Sequence, residues 1–180
     1  NGIANCTTLS QANTTYLQVG NILDNSLGGD CIKIAAENIT FDGNGYWIKS
    51  DDAYSGVYSN KKNSTVKNVN ITMGTGSGGI GIEFVDGGHN GLIKDNILGS
   101  QNIGITLDEG DYNIVDNNFV NVSCSSCKGI HINKGHYNNI TNNSVESATG
   151  NAINILRANN NTLINNSATG TGTGGTAIKI

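Results

Sequence analysis

The sequence predicts an all-β solenoid in which three parallel sheets wind around a dry core. Three observations support this fold class: the composition, a repeat of about 25 residues, and apolar positions that keep fixed places inside each repeat. Asn, Gly, Ser and Thr make up 85 of the 180 residues, whereas proline is absent. Because these four residue types form helices poorly and no window has helical apolar spacing, short strands joined by bends are expected.

The repeat is marked by a small residue that precedes an apolar–any–apolar triplet. The first apolar residue of this triplet recurs in steps of 23 or 25 residues, at Ile32, Val57, Ile82, Ile105, Ile130, Ile153 and Ile178. A second apolar set comprises Phe41, Val66, Ile93, Val115, Ile140 and Leu163. A third set follows five residues later, at Tyr46, Ile71, Leu98, Val120, Val145 and Ala168. A unit this short must bury its apolar residues against neighbouring units.

Each repeat therefore predicts one coil, meaning one turn of the solenoid, with three strands whose side chains alternate inward and outward. Residues 31–180 give about six coils of 22–27 residues and end in the first strand of a seventh. Three residues after the second apolar set stands an asparagine column, which predicts an amide ladder from coil to coil. Its members are Asn44, Asn96, Asn118, Asn143 and Asn166, with Val69 as the one interruption.

Charge and hydropathy exclude two classes of partner. The net charge is −4 and Arg157 is the single arginine. A nucleic-acid surface needs clustered lysine and arginine, so nucleic-acid binding is not expected. No run approaches the roughly 18 apolar residues of a membrane span, so a membrane span is not expected either.

The four cysteines suggest an oxidising compartment. Their even number and positions are interpreted as two disulfides, Cys6 with Cys31 and Cys124 with Cys127. Free thiols and a metal site are the alternatives, although a zinc site would need a second ligand pair and none is nearby. The chain begins at Asn1 without a leader, and we interpret it as a processed chain or an excised piece.

Glycosylation sequons point to the same compartment. Asn-X-Ser/Thr occurs ten times, whereas composition alone gives about five occurrences. We therefore expect an extracellular or cell-surface location, with covalent N-glycans as partners. Asn142 and Asn165 lie beside the asparagine column and should be poorer acceptors. The predicted acceptors are Asn5, Asn13, Asn38, Asn63, Asn70, Asn121, Asn139 and Asn160.

The repeats of residues 31–180 resemble the right-handed parallel β-helix repeat family, the NosD-like and pectate-lyase-like solenoids. The opening resembles the start of such domains in large surface proteins, through Cys6-Thr-Thr, Cys31-Ile-Lys-Ile and Asn-Ile-Thr-Phe-Asp-Gly-Asn-Gly at 38–45. The resemblance implies a right-handed β-helix. Residues 1–30 would then form an N-terminal cap, which a bond between Cys6 and Cys31 connects to the first coil. The copper link of NosD-like proteins does not transfer, because exposed Met or Cys ligand pairs are missing from the sequence.

In polysaccharide-cleaving members of this superfamily, chemistry takes place on the outer face of the first sheet. Here that face is predicted to carry Lys33, Tyr58, Glu83, Thr106, His131, Asn154 and Lys179. This column lacks the paired carboxylates of glycoside hydrolysis. Of the polygalacturonase-like motifs, only Asp51-Asp52 and incomplete forms at Gly88-His89-Asn90 and Gly135-His136-Tyr137 are present. We therefore predict no catalytic residues and expect that the chain is not an enzyme.

Metal and ligand candidates are few. No cofactor is predicted, and calcium is a weak candidate at Asp86, Asp108, Glu109 and Asp111. The favoured interpretation of that region is a charge ladder that pairs Lys61 with Asp86 and Glu109 with Lys134. His89, His131 and His136 are not in one column, so they are interpreted as surface residues rather than as a shared metal site. Tyr54, Tyr58 and Trp47 could stack on sugar rings, although core or cap packing is favoured for Trp47.

The predicted function is an extracellular structural or adhesive solenoid, a cell-surface, S-layer-like or filament-forming subunit. The alternative is a carbohydrate-binding or polysaccharide-cleaving β-helix. The last strand would expose Ile178 and Ile180 and an unpaired sheet edge. We therefore expect either head-to-tail self-association or continuation of the chain with further coils.

Overall fold

Three parallel sheets wind into a solenoid of about seven turns in the computed structural model, which describes residues 1–23, 27–74, 78–100, 102–124 and 126–180. All strand pairs are parallel and no described residue is helical. Consequently no described helix is long and apolar enough to cross a membrane. The three sheets are named in the order in which the chain visits them in each coil.

Sheet 1 contains β2 (Thr7–Leu9), β5 (Ile32–Ile34), β8 (Ser55–Ser59), β11 (Ile80–Phe84), β14 (Ile103–Asp108), β17 (Lys128–Asn133), β20 (Asn151–Leu156) and β23 (Thr176–Lys179). Sheet 2 contains β1 (Gly2–Ile3), β3 (Thr15–Gln18), β6 (Thr40–Asp42), β9 (Thr65–Lys67), β12 (Leu92–Lys94), β15 (Ile114–Asp116), β18 (Asn139–Thr141) and β21 (Thr162–Ile164). Sheet 3 contains β4 (Ile22–Leu23), β7 (Trp47–Ser50), β10 (Asn70–Met73), β13 (Ile97–Ser100), β16 (Phe119–Val122), β19 (Ser144–Ser147) and β22 (Ser167–Gly170).

The register confirms the first two apolar sets. Ile32 pairs with Val57, and the column continues through the predicted residues to Ile178. The second set pairs from Phe41 to Leu163. Most members of both sets are completely buried, so they form the core between the three sheets. The coil-to-coil pairing satisfies the backbone groups that a single coil leaves open.

The third apolar set is wrong in its first member. Ile48, and not Tyr46, pairs with Ile71 and is buried in the core. The turn after Phe41 is two residues longer than in later coils, because Ile48 lies seven positions after Phe41 whereas the corresponding step in the later coils is five. For the same reason the predicted ladder position Asn44 is wrong, since its side chain is exposed in this longer turn.

Residues 1–30, the predicted cap, contribute strands to all three sheets. β2 pairs with β5, β3 with β6 and β4 with β7, so this segment adds a turn to the predicted six. A separate cap is not shown among the described residues of the segment. The bonded Cys6 and Cys31 connect this turn to the next one.

The predicted asparagine ladder is present in the later coils, at the corner between sheets 2 and 3. Asn96, Asn118 and Asn143 each donate a side-chain Nδ2–H bond to the Oδ1 of the next member, at 2.9, 2.9 and 3.0 Å, and the last acceptor is Asn166. The same Oδ1 atoms accept the backbone N–H of the preceding member. These bonds satisfy polar groups that would otherwise be buried without partners.

A second ladder, which sequence reasoning missed, lies at the corner between sheets 1 and 2. The Oδ1 atoms of Asn138 and Asn161 accept the backbone N–H groups of Asn113 and Asn138, at 2.7 and 2.8 Å. Asn138 also donates its amide to Asn161. The recurrence of asparagine at 113, 138 and 161 is the sequence pattern from which this ladder could have been predicted.

Candidate functional site

The outer face of sheet 1 carries the side-chain column that the sequence predicts. Strand register aligns one residue per coil, and successive strands lie about 4.8 Å apart. Thr8 and Lys33 at one end and Lys179 at the other are exposed, whereas Thr106 and Asn154 retain 4% and 5% exposure. The column runs Thr8, Lys33, Tyr58, Glu83, Thr106, His131, Asn154 and Lys179.

Glu83 is the half-buried carboxylate of this column. Ser55 Oγ donates a 2.5 Å hydrogen bond to Glu83 Oε2, and the backbone N–H of Ser55 donates to Asp30 Oδ1 at 3.1 Å. Burial raises the pKa of Glu83, and the charges of Asp30 and Asp108 raise it further, while the Ser55 bond opposes the shift. Glu83 is therefore more readily protonated than a free glutamate.

Tyr58 and Lys33 lie beside this carboxylate in the two preceding coils. The Lys33 ammonium is 5.8 Å from the centroid of the Tyr58 ring, within the range of a cation–π contact. Burial raises the pKa of the Tyr58 hydroxyl, with contributions from Glu83 and Asp30. The phenol is thus held in its neutral form, as a hydrogen-bond donor and acceptor.

His131 lies two coils beyond Glu83, with Thr106 between them. The side-chain amide nitrogen of Asn154 lies 2.9 Å from His131 Nδ1. Burial lowers the pKa of His131 and the charge of Lys128 lowers it further, against the opposing effects of the Asn154 backbone and Asp108. A neutral imidazole is therefore favoured at this position.

The column offers hydrogen-bonding groups that are spread over successive coils. Two coil steps separate Glu83 from His131, about 10 Å along the axis. Glu83 is the one carboxylate among the aligned residues of the column. Such spacing suits contacts with successive units of an extended ligand better than a shared proton transfer.

Three of the four weak calcium candidates have separate hydrogen-bond or ion-pair partners. Asp86 is exposed, and Asp108 accepts a 2.6 Å hydrogen bond from Asn133 Nδ2. Glu109 forms an ion pair with Lys134, and Asp111 Oδ1 accepts the backbone N–H of His136 at 2.7 Å. Among the described residues, no group of three His, Cys, Asp or Glu side chains has a metal-holding arrangement.

The predicted charge ladder is present in one of its two pairs. The contact between Glu109 and Lys134 joins adjacent coils, and the hydrogen bond and charge of Glu109 raise the pKa of Lys134. Lys61 and Asp86 form no ion pair within the described part of the chain. Other ion pairs lie on sheet 2, where Lys67 contacts Asp42 at 3.0 Å in the neighbouring coil.

The incomplete polygalacturonase-like motifs do not meet. Asp52 Oδ2 accepts the backbone N–H of Leu27 and the Ser50 hydroxyl, near the end of sheet 3. His89 and His136 lie instead at the corner between sheets 1 and 2. The three histidines do not share one column, because His131 lies on sheet 1. His89 and His136 do share one, two coils apart, and hydrogen bonds to Asp111 in the intervening coil connect them.

Two of the three predicted sugar-stacking aromatics, Tyr58 and Trp47, lie on different sheets. Tyr58 is on sheet 1, whereas Trp47 is on the outer face of sheet 3 and 42% exposed. Trp47 lines an open cavity of about 360 Å³ with Asn21, Leu23, Lys49 and Thr72. Core packing of Trp47 is thus wrong, because strand alternation turns Ile48 inward and Trp47 outward.

Both predicted disulfides are present. Cys6 is bonded to Cys31, and Cys124 to Cys127.

The predicted glycosylation acceptors are accessible in most cases. Seven of the eight are exposed, and Asn70 is half-buried. Asn142 and Asn165 are exposed as well, so burial gives no reason for them to be poorer acceptors. Glycan occupancy at all of these positions stays a prediction.

Comparison with known proteins decides the family. A family model described as a right-handed β-helix region matches residues 2–177. The chain belongs to the right-handed β-helix family. No curated protein matches it.

Two solved structures are similar to this chain to different degrees. The A-module of the Azotobacter vinelandii mannuronan C-5 epimerase AlgE6 has a TM-score of 0.53 at 16% identity, and the match covers 96% of this chain. This chain spans 60% of the length of that module. The AlgE4 A-module of the same organism matches with a TM-score of 0.32 at 10% identity, over 97% of this chain and 83% of that one. At 16% identity the likeness to the AlgE6 A-module shows the fold alone.

Proposed function

We propose that this chain is an extracellular structural and adhesive module, a rigid β-helix that presents its sheet faces to other surface molecules. The observation that carries the proposal is the continuous bonding of side chains between coils. Two asparagine ladders connect the later coils, and the bonded Cys6 and Cys31 connect the earliest ones. A module that must persist outside the cell benefits from such crosslinks, because local opening of one coil then breaks several buried contacts.

The location is supported by the cysteines and the sequons. Both cysteine pairs are bonded, and disulfides persist mainly in oxidising compartments. The predicted glycosylation acceptors lie at corners and on outer faces, where an attached glycan would not disturb the core. These features favour a cell-surface or secreted solenoid over an intracellular one.

The test of this proposal is made on the chain isolated from its natural source. We expect cysteines that resist alkylation until a reductant is added, and glycan mass at the corner acceptors Asn38, Asn63 and Asn160. Fractionation should recover the chain with the cell surface or the medium. Recovery from the cytosol with free thiols and bare asparagines would contradict the proposal.

A second function, binding of an extended polysaccharide, is favoured by the outer face of sheet 1. Its aligned polar side chains stand about 4.8 Å apart, a repeat close to one sugar unit per coil. Tyr58, Glu83 and His131 combine partial burial with hydrogen-bonding groups, as binding sites do. The AlgE6 A-module, by its name, acts on mannuronan, so a polysaccharide ligand is compatible with this fold.

Affinity electrophoresis in gels that contain neutral or acidic polysaccharides, with and without Ca²⁺, tests this second function. We expect retardation of the chain and a loss of retardation in Glu83→Gln. The matched control is Glu146→Gln, which removes the same charge from the outer face of sheet 3. Equal effects of the two variants would show that net charge, rather than the sheet 1 face, determines retardation. Product formation on the same panel would instead favour an enzyme.

Head-to-tail association between copies, or continuation of the chain with further coils, is the remaining part of the proposal. Ile178 and Ile180 on the last coil are 44% and 91% exposed. The sheet edge that carries them can be covered by a further coil of a longer chain or by a second copy. Light scattering during size-exclusion chromatography of the 180-residue chain tests the second alternative: oligomers that dissociate on dilution support association, and a monomer at all concentrations contradicts it.

A further inference from the structure

Two tyrosines occupy left-handed backbone positions at the corner between sheets 1 and 2. Tyr112 and Tyr137 both have a φ of 57°. The equivalent corner positions of other coils hold asparagine with φ between 55° and 58°, at Asn13, Asn38, Asn63, Asn90 and Asn160. Asparagine tolerates this conformation, whereas a bulky aromatic residue rarely adopts it. Backbone preference therefore does not account for the tyrosines, and such an outlier is a reason to look for a function.

The two rings form a stacked pair on the surface. Their centroids are 5.1 Å apart and their planes differ by 4°. Tyr112 and Tyr137 are 55% and 50% exposed, so the pair does not serve the core. Exposed aromatic rings present an apolar face beside a polar tip, which suits contact with an amphipathic ligand.

A small cavity of about 210 Å³ lies beside Tyr112. Its lining comprises Lys62, His89, Asn90, Asp111 and Tyr112. Asn90 is the corner residue of the preceding coil and Tyr137 that of the following coil, so the cavity lies on the side of Tyr112 away from its stacking partner. The short Asn90 side chain leaves space where a third ring of the stack would lie.

The polar groups of this cavity are oriented by bonds to the backbone. His89 Nδ1 accepts the backbone N–H of Asp111 at 3.0 Å, which places the proton of the neutral ring on Nε2. Asp111 Oδ1 accepts the backbone N–H of His136 at 2.7 Å. The carboxylate and imidazole are thus held in place, with Lys62 supplying a cation at the rim. Hydrogen-bond donors on His89 and Lys62 and the acceptor carboxylate of Asp111 therefore surround one face of the Tyr112 ring.

We propose that this cavity binds one pyranose ring of a glycan. The C–H face of the sugar would stack on Tyr112, and its hydroxyls would bond to Asp111, His89 and Lys62. The volume is below the roughly 300–1,000 Å³ of pockets for drug-sized ligands, so a single ring fits the site better than an oligosaccharide. This corner is separate from the outer face of sheet 1, and the proposal goes beyond the structural function above.

The sugar can come from two sources. One is an external glycan. The other is a glycan on this chain's own Asn63, which belongs to the same corner column and lies one coil before Asn90. Two coil steps separate Asn63 from Tyr112, about 10 Å, so the first sugars of an Asn63 glycan can reach the cavity. Both sources supply the same pyranose chemistry.

The experiment uses the full chain produced without glycosylation and saturation-transfer NMR with methyl glycosides of glucose, galactose, mannose and N-acetylglucosamine. We expect at least one glycoside to bind in the millimolar range. Tyr112→Asn should weaken binding about tenfold or more, because the stacking face is lost. Asparagine suits the left-handed position, so this variant should keep or raise the melting temperature. Tyr137→Asn, which leaves the cavity lining intact, should weaken binding by no more than about threefold.

The control is Tyr54→Asn, which removes an exposed tyrosine elsewhere on the molecule. The proposal is overturned when none of the four glycosides binds the unmodified chain, when Tyr112→Asn binds as well as the unmodified chain, or when Tyr54→Asn loses as much affinity. These outcomes leave the test of sheet 1 untouched, since that test depends on Glu83.

The source of the sugar is decided with glycosylated protein. Binding of the glycoside only after Asn63→Gln would show that the chain's own glycan occupies the cavity. Binding with and without this substitution would indicate an external glycan. Both results support the site, whereas an absence of binding in both forms, together with its absence in the unglycosylated chain, overturns it.

Discussion

The same corner positions hold different types of side chain in the early and the late coils. In the early coils the corner residues Ile39 and Val69 are completely buried apolar side chains. In the later coils the corresponding places hold buried, hydrogen-bonded asparagines, among them Asn118 and Asn138. The comparison shows that the bend itself needs no particular side chain. An apolar residue that fits and an amide whose partners come from the adjacent coils both serve at these positions.

The largest expected effect comes from breaking the ladder at Asn118. Its Oδ1 accepts from the Asn96 backbone and amide, and its Nδ2 donates to Ile93 O and Asn143 Oδ1. Asn118→Ala would leave several buried groups without partners. We expect the free energy of unfolding to fall by about 3–4 kcal/mol, measured by urea denaturation.

The matched control is the adjacent Asn117→Gly. Asn117 is exposed and has a φ of 52°, which glycine also adopts. This variant should cost less than about 1 kcal/mol. Equal losses at the two positions would show that the inward amide contributes nothing specific.

The early coils should depend most on the bond between Cys6 and Cys31. It closes a loop of one coil, because the two cysteines are 25 positions apart in sequence. Replacing both with alanine should lower the free energy of unfolding by about 3 kcal/mol. The same change at Cys124 and Cys127, which are three residues apart, should cost about half as much. Thermal unfolding of the two double variants measures the difference, and the reverse order would contradict the assignment.

The boundary between the two corner types is tested by Val69→Asn. The backbone N–H of Val69 already donates to Asn96 Oδ1, so the ladder ends there. A new asparagine could donate toward Asn96, but the backbone N–H of Gly43 is already bonded to Lys67 O. Its Oδ1 would therefore have no donor, and we expect a loss of about 1–2 kcal/mol in urea denaturation. A gain in stability would show that the longer turn after Phe41 does not end the ladder.

The same comparison explains what the sequence could predict. The three apolar columns can be predicted in the later coils because inward residues keep a fixed spacing when every turn has the same length. The predictions for Tyr46 and Asn44 are wrong because the turn after Phe41 carries two additional residues and the fixed spacing no longer applies.

The candidate sites were harder to predict than the fold. The outer column of sheet 1 follows directly from strand register, so its residues were found. Tyr112 and Tyr137 were missed because two exposed tyrosines 25 residues apart look like ordinary surface residues. Their left-handed backbone, their stacking and the neighbouring cavity are properties of the folded corner.

The smallest expected effect concerns the charge of Glu83. Burial raises its pKa in the folded chain, so its stabilising contribution is present at pH below its ordinary value and is lost as pH rises through the folded pKa. Glu83→Gln keeps an acceptor for Ser55 and removes the charge. We expect a melting temperature about 1–3 °C above the unmodified chain at pH 7, and no such gain at pH 4. A gain of equal size at both pH values would contradict this account.

The most direct test of an extracellular, crosslinked solenoid is the intact mass of the natural chain, alkylated without reduction, before and after chemical deglycosylation. The account predicts that no alkyl group is added, and that the mass exceeds that of the polypeptide until the glycans are removed. A mass equal to the bare polypeptide with four alkyl groups would contradict it.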